Sequence, residues 1–376
     1  MAEADAHPAD SARTGRAPHV LLAGGGSGGH VFPALAVGDE LVRRGWRVSF
    51  AGNSEGMERR LAEGRGVRFV PLASRPVVGR GSLGRLRGLA TIARSALAAR
   101  RWIRAEGVDL VVGTGGYASA PAALGAALAR RPLLLIEPNA RPGAANRWLA
   151  RFATSAAVGW ESAIRELRCP ARVTGVPVRA ELAAIQPLAA GAAPRLLALG
   201  GSQGSRRLNQ LLPGAVAAAR ERVPALTVLH QCGERLADEA RAAWAAAGGP
   251  SPGVELVPFV ADVAGALSAA SLVVSRAGAI TLAEIAAAGR PAVLLPLTLA
   301  GAHQLDNARL FEAAGAGRVI EESSASVEAL GEVLAGLLAA PAELAAMGAR
   351  ARGLATPGAA SAIADEAERV ARRAAA

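Results

Sequence analysis

The stretch His19-Val20-Leu21-Leu22-Ala23-Gly24-Gly25-Gly26-Ser27-Gly28-Gly29-His30-Val31-Phe32-Pro33 decides the fold. Residues 19–23 read as a buried strand, the glycines as a tight turn, and residues 31–44 carry a helical period. Residues 47–51 supply the next strand, so the chain opens with a βαβ unit. Glycines let backbone N–H groups approach a phosphate or diphosphate closely, and the helix N-terminus adds partial positive charge. The loop therefore predicts an anionic ligand. His30, with an ordinary pKa of about 6.5, is a candidate base beside it; the alternative is a histidine satisfied by packing at a helix start.

The same grammar continues along the chain. Residues 110–113 and 133–136 are apolar strands, each followed by a turn rich in Gly, Pro or Asn and then a helical stretch. Strands alternating with helices argue for a parallel sheet covered on both faces. Periodicity lapses around residues 181–194 and then restarts: residues 195–199 form a strand, Gly200-Gly201-Ser202-Gln203-Gly204-Ser205 a second glycine loop, and residues 206–222 a helix. Further strands are expected at 226–231, 254–258, 272–275 and 292–295. The expected organisation is a flexible tail over 1–17, a first domain over 18–182, a linker over 183–194 and a second domain over 195–356. A C-terminal helix over 357–376 follows, with packing back onto the first domain as one placement. Each half opens with strand, glycine loop and helix, the signature of two doubly wound domains facing across a cleft.

Composition narrows the class. The 376 residues are long enough for two cores, 51% are hydrophobic, and the net charge of +11 comes without any lysine. Nucleic acid, anionic lipid or a phosphorylated substrate would each suit that charge. Only 3% of residues are aromatic, which leaves few platforms for stacking bases and argues against a nucleic-acid partner. Cys169 and Cys232 stand alone, without metal-ligand spacing, and read as reduced thiols. Residues 1–17 lack the apolar core of a signal peptide, and no apolar stretch approaches the roughly 20 residues that span a bilayer. A cytoplasmic chain, soluble or attached to a membrane surface, is expected.

Several other segments bear chemistry. Gly113-Thr114-Gly115-Gly116-Tyr117 is a second close-approach loop, or a tight strand-to-helix turn. Glu137-Pro138-Asn139 and Asn146 follow the strand at 133–136, where they either orient the next helix or reach substrate hydroxyls. Thr281 and Glu284 fit a capping box, while the rival reading has Glu284 accept the two hydroxyls of a ribose. Gln304, after His303, has the donor and acceptor pair that suits a sugar hydroxyl network. A dinucleotide-binding dehydrogenase is disfavoured because Phe50-Ala51-Gly52-Asn53 lacks the acidic residue that holds a ribose, and a lysine-free chain has no Walker P-loop.

Taken in order, the His30-Val31-Phe32-Pro33 loop, Gly115-Gly116-Tyr117, Glu137-Pro138-Asn139, Gly175-Val176-Pro177-Val178-Arg179, Gly200-Gly201-Ser202-Gln203-Gly204, Arg276-Ala277-Gly278-Ala279 and His303-Gln304 resemble the MurG family over nearly the whole chain. These enzymes transfer N-acetylglucosamine from UDP-N-acetylglucosamine to undecaprenyl-diphospho-muramoyl-pentapeptide in peptidoglycan synthesis. The resemblance implies a GT-B fold, with the lipid acceptor on the first domain and the UDP-sugar on the second. It implies UDP-sugar contacts at Ser27, Gly28, Gly29, Asn139, Arg179, Ser202, Val260, Ala279, Ile280, Thr281, Leu282, Ala283, Glu284 and Gln304. Among these, Ser202 would meet the diphosphate, the Val260 backbone the uracil and Glu284 the ribose. His30, Glu137 and Asn146 are the implied catalytic or acceptor-handling residues, with His30 the first candidate base and Glu137 the second. The chain departs from the family pattern at Val176, where Asn is common, at Pro138, where Gln is frequent, and at Leu299-Ala300-Gly301-Ala302, where many relatives are charged.

The implied reaction is inverting: the C4 hydroxyl of the muramoyl sugar attacks the anomeric carbon and UDP leaves. No metal-ligand cluster is visible, so no metal and no cofactor are expected, and loop amides and helix dipoles would neutralise the leaving diphosphate. Residues 75–104 interleave Arg75, Arg80, Arg85, Arg87, Arg94, Arg100, Arg101 and Arg104 with Val77, Val78, Leu83, Leu86, Leu89, Ile92, Leu97, Trp102 and Ile103. This is either a solvated basic helix or a patch that docks on an anionic membrane surface, placing the protein at the cytoplasmic face of the cell membrane. Rival readings are a GT-B glycosyltransferase acting on a small-molecule acceptor and a nucleotide-binding protein without transferase activity.

Overall fold

The computed structural model describes residues 16–26, 28–75, 81–188, 193–201, 203–249, 252–297 and 303–375. The first half is a seven-stranded sheet of β1 (His19–Ala23), β2 (Arg47–Gly52), β3 (Arg68–Pro71), β4 (Leu110–Gly113), β5 (Leu133–Glu137), β6 (Ser155–Val158) and β7 (Ala171–Val173). Its spatial order is β3-β2-β1-β4-β5-β6-β7. The second half is a six-stranded sheet of β8 (Arg195–Leu199), β9 (Thr227–Gln231), β10 (Val254–Val257), β11 (Leu272–Ser275), β12 (Ala292–Leu294) and β13 (Gly317–Val319), ordered β10-β9-β8-β11-β12-β13. Every pairing in both sheets is parallel. Parallel strands need helical crossovers, and helices on both faces require strands that are buried throughout, as β1 and β4 are along their whole length.

Strand order places the ligand edge. In each sheet the direction of winding reverses once, between β1 and β4 in the first and between β8 and β11 in the second, and open α/β sheets bind ligands just beyond the strand ends at such a point. Both glycine loops emerge there, from β1 and from β8. So do the Thr114 loop after β4 and the Arg276 loop after β11. The two domains are thus Rossmann-like units whose ligand edges face a common cleft.

Each sheet is clad by two apolar clusters, one per face. In the second domain, one cluster gathers Leu196, Leu212 and Val274 and the other Leu197, Ile285 and Phe311. Leu182 and Ile185, which follow the last strand of the first domain, pack into this second core. The last helix, Ala359–Ala375, returns to the first domain instead, where Ile363, Ala364, Ala367 and Val370 complete the cluster around Val20, Leu41 and Val112. Buried Glu366 anchors it: Ser155 on β6 donates to its carboxylate at 2.5 Å, and Arg172 and Arg369 pair with the same group. Among the described residues no single helix is long and apolar enough to cross a membrane; the helices Val327–Leu338 and Pro341–Gly353 pass that test only as a pair bent by 95°.

The helix Ser82–Ala105 carries the basic stretch. Its inner face, with Ile92, Ala96, Ala99 and Ile103, is buried, and Gly125 of the neighbouring helix lets the backbones close. Leu86, Leu89 and Leu97 are half or more exposed on its outer face, among exposed Arg85, Arg87 and Arg94. Ile92 and Ile103 therefore leave the expected patch for the core, and Trp102 packs edge-on against His19. Val77, Val78, Arg80 and the Leu83 side chain lie outside the described residues.

Candidate active site

A cleft of about 770 Å³ lies between the two domains. Gly28, Gly29, His30, Phe32, Pro138, Asn139 and Arg179 line it from the first half; Gly200, Gly201, Gly204, Val260, Arg276, Ala279 and Gln304 are among those that line it from the second. That volume is within the range of pockets that enclose nucleotide- or sugar-sized ligands.

The first glycine loop is shaped by close approach. A Cβ on Gly24 would sit 2.1 Å from the Thr114 hydroxyl and one on Gly25 2.3 Å from the Glu58 carboxylate, so a larger residue at either place requires a neighbouring side chain to shift. The helix begins at Gly28, three residues before its apolar period, and this puts His30 in its first turn. There the imidazole Nδ1 lies 2.8 Å from the Thr114 carbonyl. A carbonyl can only accept, so Nδ1 carries the proton and the neutral ring keeps its lone pair on Nε2. The Thr114 hydroxyl donates in return to the His30 carbonyl at 2.7 Å, tying the β4 loop to the β1 loop across the switch point. Burial lowers the His30 pKa below 6.5; the Thr114 hydrogen bond and the Glu137 charge oppose that shift, and nearby His303 adds to it. The base form is thus the resting form at neutral pH.

Glu137 and Asn146 lie beneath the cleft instead of in it, each 2% exposed. One Glu137 carboxylate oxygen accepts from the Asn139 backbone N–H (3.0 Å) and side chain (2.8 Å); the other accepts from the Gly143 N–H (2.8 Å) and the Asn146 carboxamide (3.0 Å). Four donors fill the carboxylate, so Glu137, expected as the second candidate base, is placed here as the organiser of its own loop. Asn146 also donates to the Ile136 carbonyl at 3.0 Å, while its Oδ1 is buried without a partner and its carboxamide lies beside Gly115.

The second domain presents the helix Ala279–Ala288 end-on, with N-terminal residues Ala279, Ile280 and Thr281 in the cleft wall. Its N-cap is Gly278, so Thr281 is the third helical residue and the capping-box reading fails. One turn on, Glu284 faces the cleft and Arg179 at 3.7 Å, and the Arg179 guanidinium stands over the Phe32 ring at 5.9 Å. Burial raises the Glu284 pKa, opposed by Arg179 and aided by Glu181. Two of the expected contacts turn away, because successive helical side chains diverge by about 100°. Leu282 is core, and Ala283 lines a separate cavity of about 170 Å³ with Val176. Gln304 lines the cleft while its Oε1 accepts the Leu297 N–H at 2.9 Å. Ser27, Ser202 and residues 299–302 lie outside the described residues.

Three cleft features escaped the sequence reading as site residues. Phe259, two-thirds exposed, stands at the cleft beside Val260; His303 lines it with a buried Nδ1 that has no partner; and Arg276 spans to Glu322 at 3.2 Å. Of the three, the sequence marks only Phe259, a large aromatic in the turn after β10 and next to Val260. Among the described residues no group of three or more His, Cys, Asp and Glu side chains is placed to hold a metal ion.

Two Rossmann-like domains that meet edge to edge over a cleft, with the half-buried imidazoles of His30 and His303 in its wall, make up the GT-B architecture. The glycosyltransferase family 28 N-terminal domain matches residues 20–158 and the family 28 C-terminal domain residues 195–369. A protein of Halorhodospira halophila named UDP-N-acetylglucosamine--N-acetylmuramyl-(pentapeptide) pyrophosphoryl-undecaprenol N-acetylglucosamine transferase is 42% identical, covering 94% of this chain and 98% of its own. One of the same name from Solibacter usitatus is 39% identical over 94% of this chain and 96% of its own. The crystal structure of Acinetobacter baumannii MurG superposes with a TM-score of 0.77 at 31% identity, covering 94% of this chain and 100% of that one. The chain belongs to glycosyltransferase family 28 and, within it, to the MurG family.

Proposed function

We propose that the protein transfers N-acetylglucosamine from UDP-N-acetylglucosamine to the C4 hydroxyl of undecaprenyl-diphospho-muramoyl-pentapeptide, converting lipid I to lipid II with inversion at the anomeric carbon. The observation that carries the chemistry is the His30–Thr114 hydrogen bond, which keeps the Nε2 lone pair available in a cleft lined by both glycine loops. In the displacement the acceptor oxygen forms its bond to C1 as its proton passes to His30 Nε2. The bond from C1 to the diphosphate oxygen breaks, and its electron pair leaves with UDP. Amides of Gly200, Gly201 and Gly204 and the N-terminus of Ala279–Ala288, all in the cleft wall, are suited to the negative charge that develops on the leaving diphosphate. Glu284 is suited to the ribose hydroxyls, Val260 to the uracil through its backbone, Gln304 to the sugar. Glu137 acts by positioning Asn146. The test is product analysis: incubation of both substrates should yield a β-1,4-linked disaccharide on the lipid diphosphate, and an unmodified acceptor contradicts the reading.

The same reading has the enzyme work as a peripheral protein at the cytoplasmic face of the cell membrane. Supporting it is the outer face of Ser82–Ala105, where exposed Leu86, Leu89 and Leu97 alternate with exposed Arg85, Arg87 and Arg94. Leucines can enter the acyl boundary while each well-placed arginine gains about 1 kcal/mol from anionic headgroups. Flotation with anionic vesicles should recover the protein, and a variant with Arg85, Arg87 and Arg94 all changed to Glu should stay in the dense fraction. Equal flotation of both overturns this assignment.

A further inference from the structure

Gln304 and Asn307 are one turn apart on the helix His303–Ala313, yet only Gln304 lines the cleft. Asn307 is 1% exposed and reaches into the other domain. Its Oδ1 accepts the Ala140 N–H at 2.8 Å; its Nδ2 donates to Asn139 Oδ1 at 3.1 Å and, within its own domain, to the Ala277 carbonyl at 3.1 Å. A backbone N–H on one side and a backbone carbonyl on the other leave one orientation for this carboxamide.

That orientation propagates. With its Oδ1 facing Asn307, Asn139 must turn its Nδ2 to Glu137, whose far oxygen then takes the Gly143 N–H and the Asn146 Nδ2. Asn146 is left with its oxygen buried and unpartnered beside Gly115, in the loop whose Thr114 carbonyl holds His30. The run is therefore a chain of oriented amides and one carboxylate, leading from the helix that carries Gln304 to the loop that sets the imidazole.

We infer that Asn307 is a positioning residue: from the second domain it holds the Glu137–Asn146 loop of the first in register, so that the donor-side helix and the base are set together. The inference rests on the proposed transfer reaction only for its kinetic arm.

The test compares wild type, Asn307→Ala and Asn307→Asp. In the transfer assay kcat should fall by about 10- to 100-fold in both variants, as small misplacements of a catalytic group do. The UDP-N-acetylglucosamine Kd, measured by calorimetry, should weaken by less than kcat falls, because Asn307 reaches the cleft only through Asn139. Asp fills the same volume but sets a second oxygen against the Ala277 carbonyl and Asn139 Oδ1. It should therefore not rescue, whereas a packing role would be rescued. Without any substrate, amide hydrogen exchange across residues 138–146 should accelerate in both variants. Unchanged exchange in that segment, or Asp restoring wild-type kcat, overturns the inference. Should the alanine variant not fold, the isosteric aspartate carries the same comparison. A wild-type protein that fails to transfer the sugar refutes the proposed reaction while leaving the exchange result to decide on Asn307.

Discussion

His30 and Thr114 stand on opposite sides of the switch point of the first sheet and exchange two hydrogen bonds, imidazole to carbonyl at 2.8 Å and hydroxyl to carbonyl at 2.7 Å. The pair fixes the tautomer of the candidate base, with Nε2 left as the acceptor. Burial lowers its pKa, so a base-dependent rate should be flat through neutral pH and decline only below about 6.5. A pH profile of kcat/KM should show that acid limb in wild type and lose it in His30→Gln, with a rate loss of about 10²- to 10⁴-fold. An acid limb that persists unchanged in the variant assigns it to another group.

A second histidine governs acid stability. His230 is buried, accepts the Trp244 N–H on Nδ1 at 3.1 Å and, as the Nε2–H tautomer, donates to Asn209 Oδ1 at 3.0 Å. Protonating Nδ1 would set N–H against N–H, and burial pushes the pKa down from 6.5 to about 4. A depressed pKa means the unfolded chain binds the proton more readily. Stability is therefore full above pH 6.5 and falls as pH drops toward 4, by about 3 kcal/mol at the low end. Urea titrations at pH 7.5 and 4.5 should differ in midpoint, and His230→Gln should narrow that difference.

How much of this was legible beforehand follows from residue patterns. Apolar runs mark β1, β2, β4, β5, β8, β9, β11 and β12, because central parallel strands are buried on both faces, and the edge strand β10 shows through Val254, Leu256 and Val257. Sheet-edge strands β3, β7 and β13 are three or four residues long and each contains an exposed arginine, Arg68, Arg172 or Arg318, so periodicity does not find them. β6 is missed for another reason: Ser155, Ala156 and Ala157 carry little apolar signal. In the site, the glycine loop exposes His30 to a sequence reading. Glu137 looks like a free base until four donors from residues 139, 143 and 146 fold around it. Asn307 finds its partner Ala140 across 167 positions of chain, a relationship that no local pattern encodes.

The docking of the last helix should depend on one buried carboxylate. Burial alone would raise the Glu366 pKa, but hydrogen bonds from Arg369 and Ser155, the Arg369 charge and Arg172 hold it below the usual carboxylate value. Removing that partner leaves Arg369 and Ser155 uncompensated. Glu366→Ala should cost about 2 kcal/mol and speed proteolysis within residues 359–375, while the second domain keeps its protection. Uniform loss of protection across both domains would contradict a local anchor.

The central claim is direct transfer from a nucleotide-sugar to a lipid-linked acceptor with His30 as base. Its most direct test is the rate of UDP release from UDP-N-acetylglucosamine, with and without a soluble lipid-diphosphate muramoyl-pentapeptide analogue, for wild type and His30→Ala. The acceptor should stimulate release in wild type, with one disaccharide formed per UDP, and this stimulation should be lost in His30→Ala. Release that is indifferent to the acceptor, or equal stimulation in the variant, would contradict that claim.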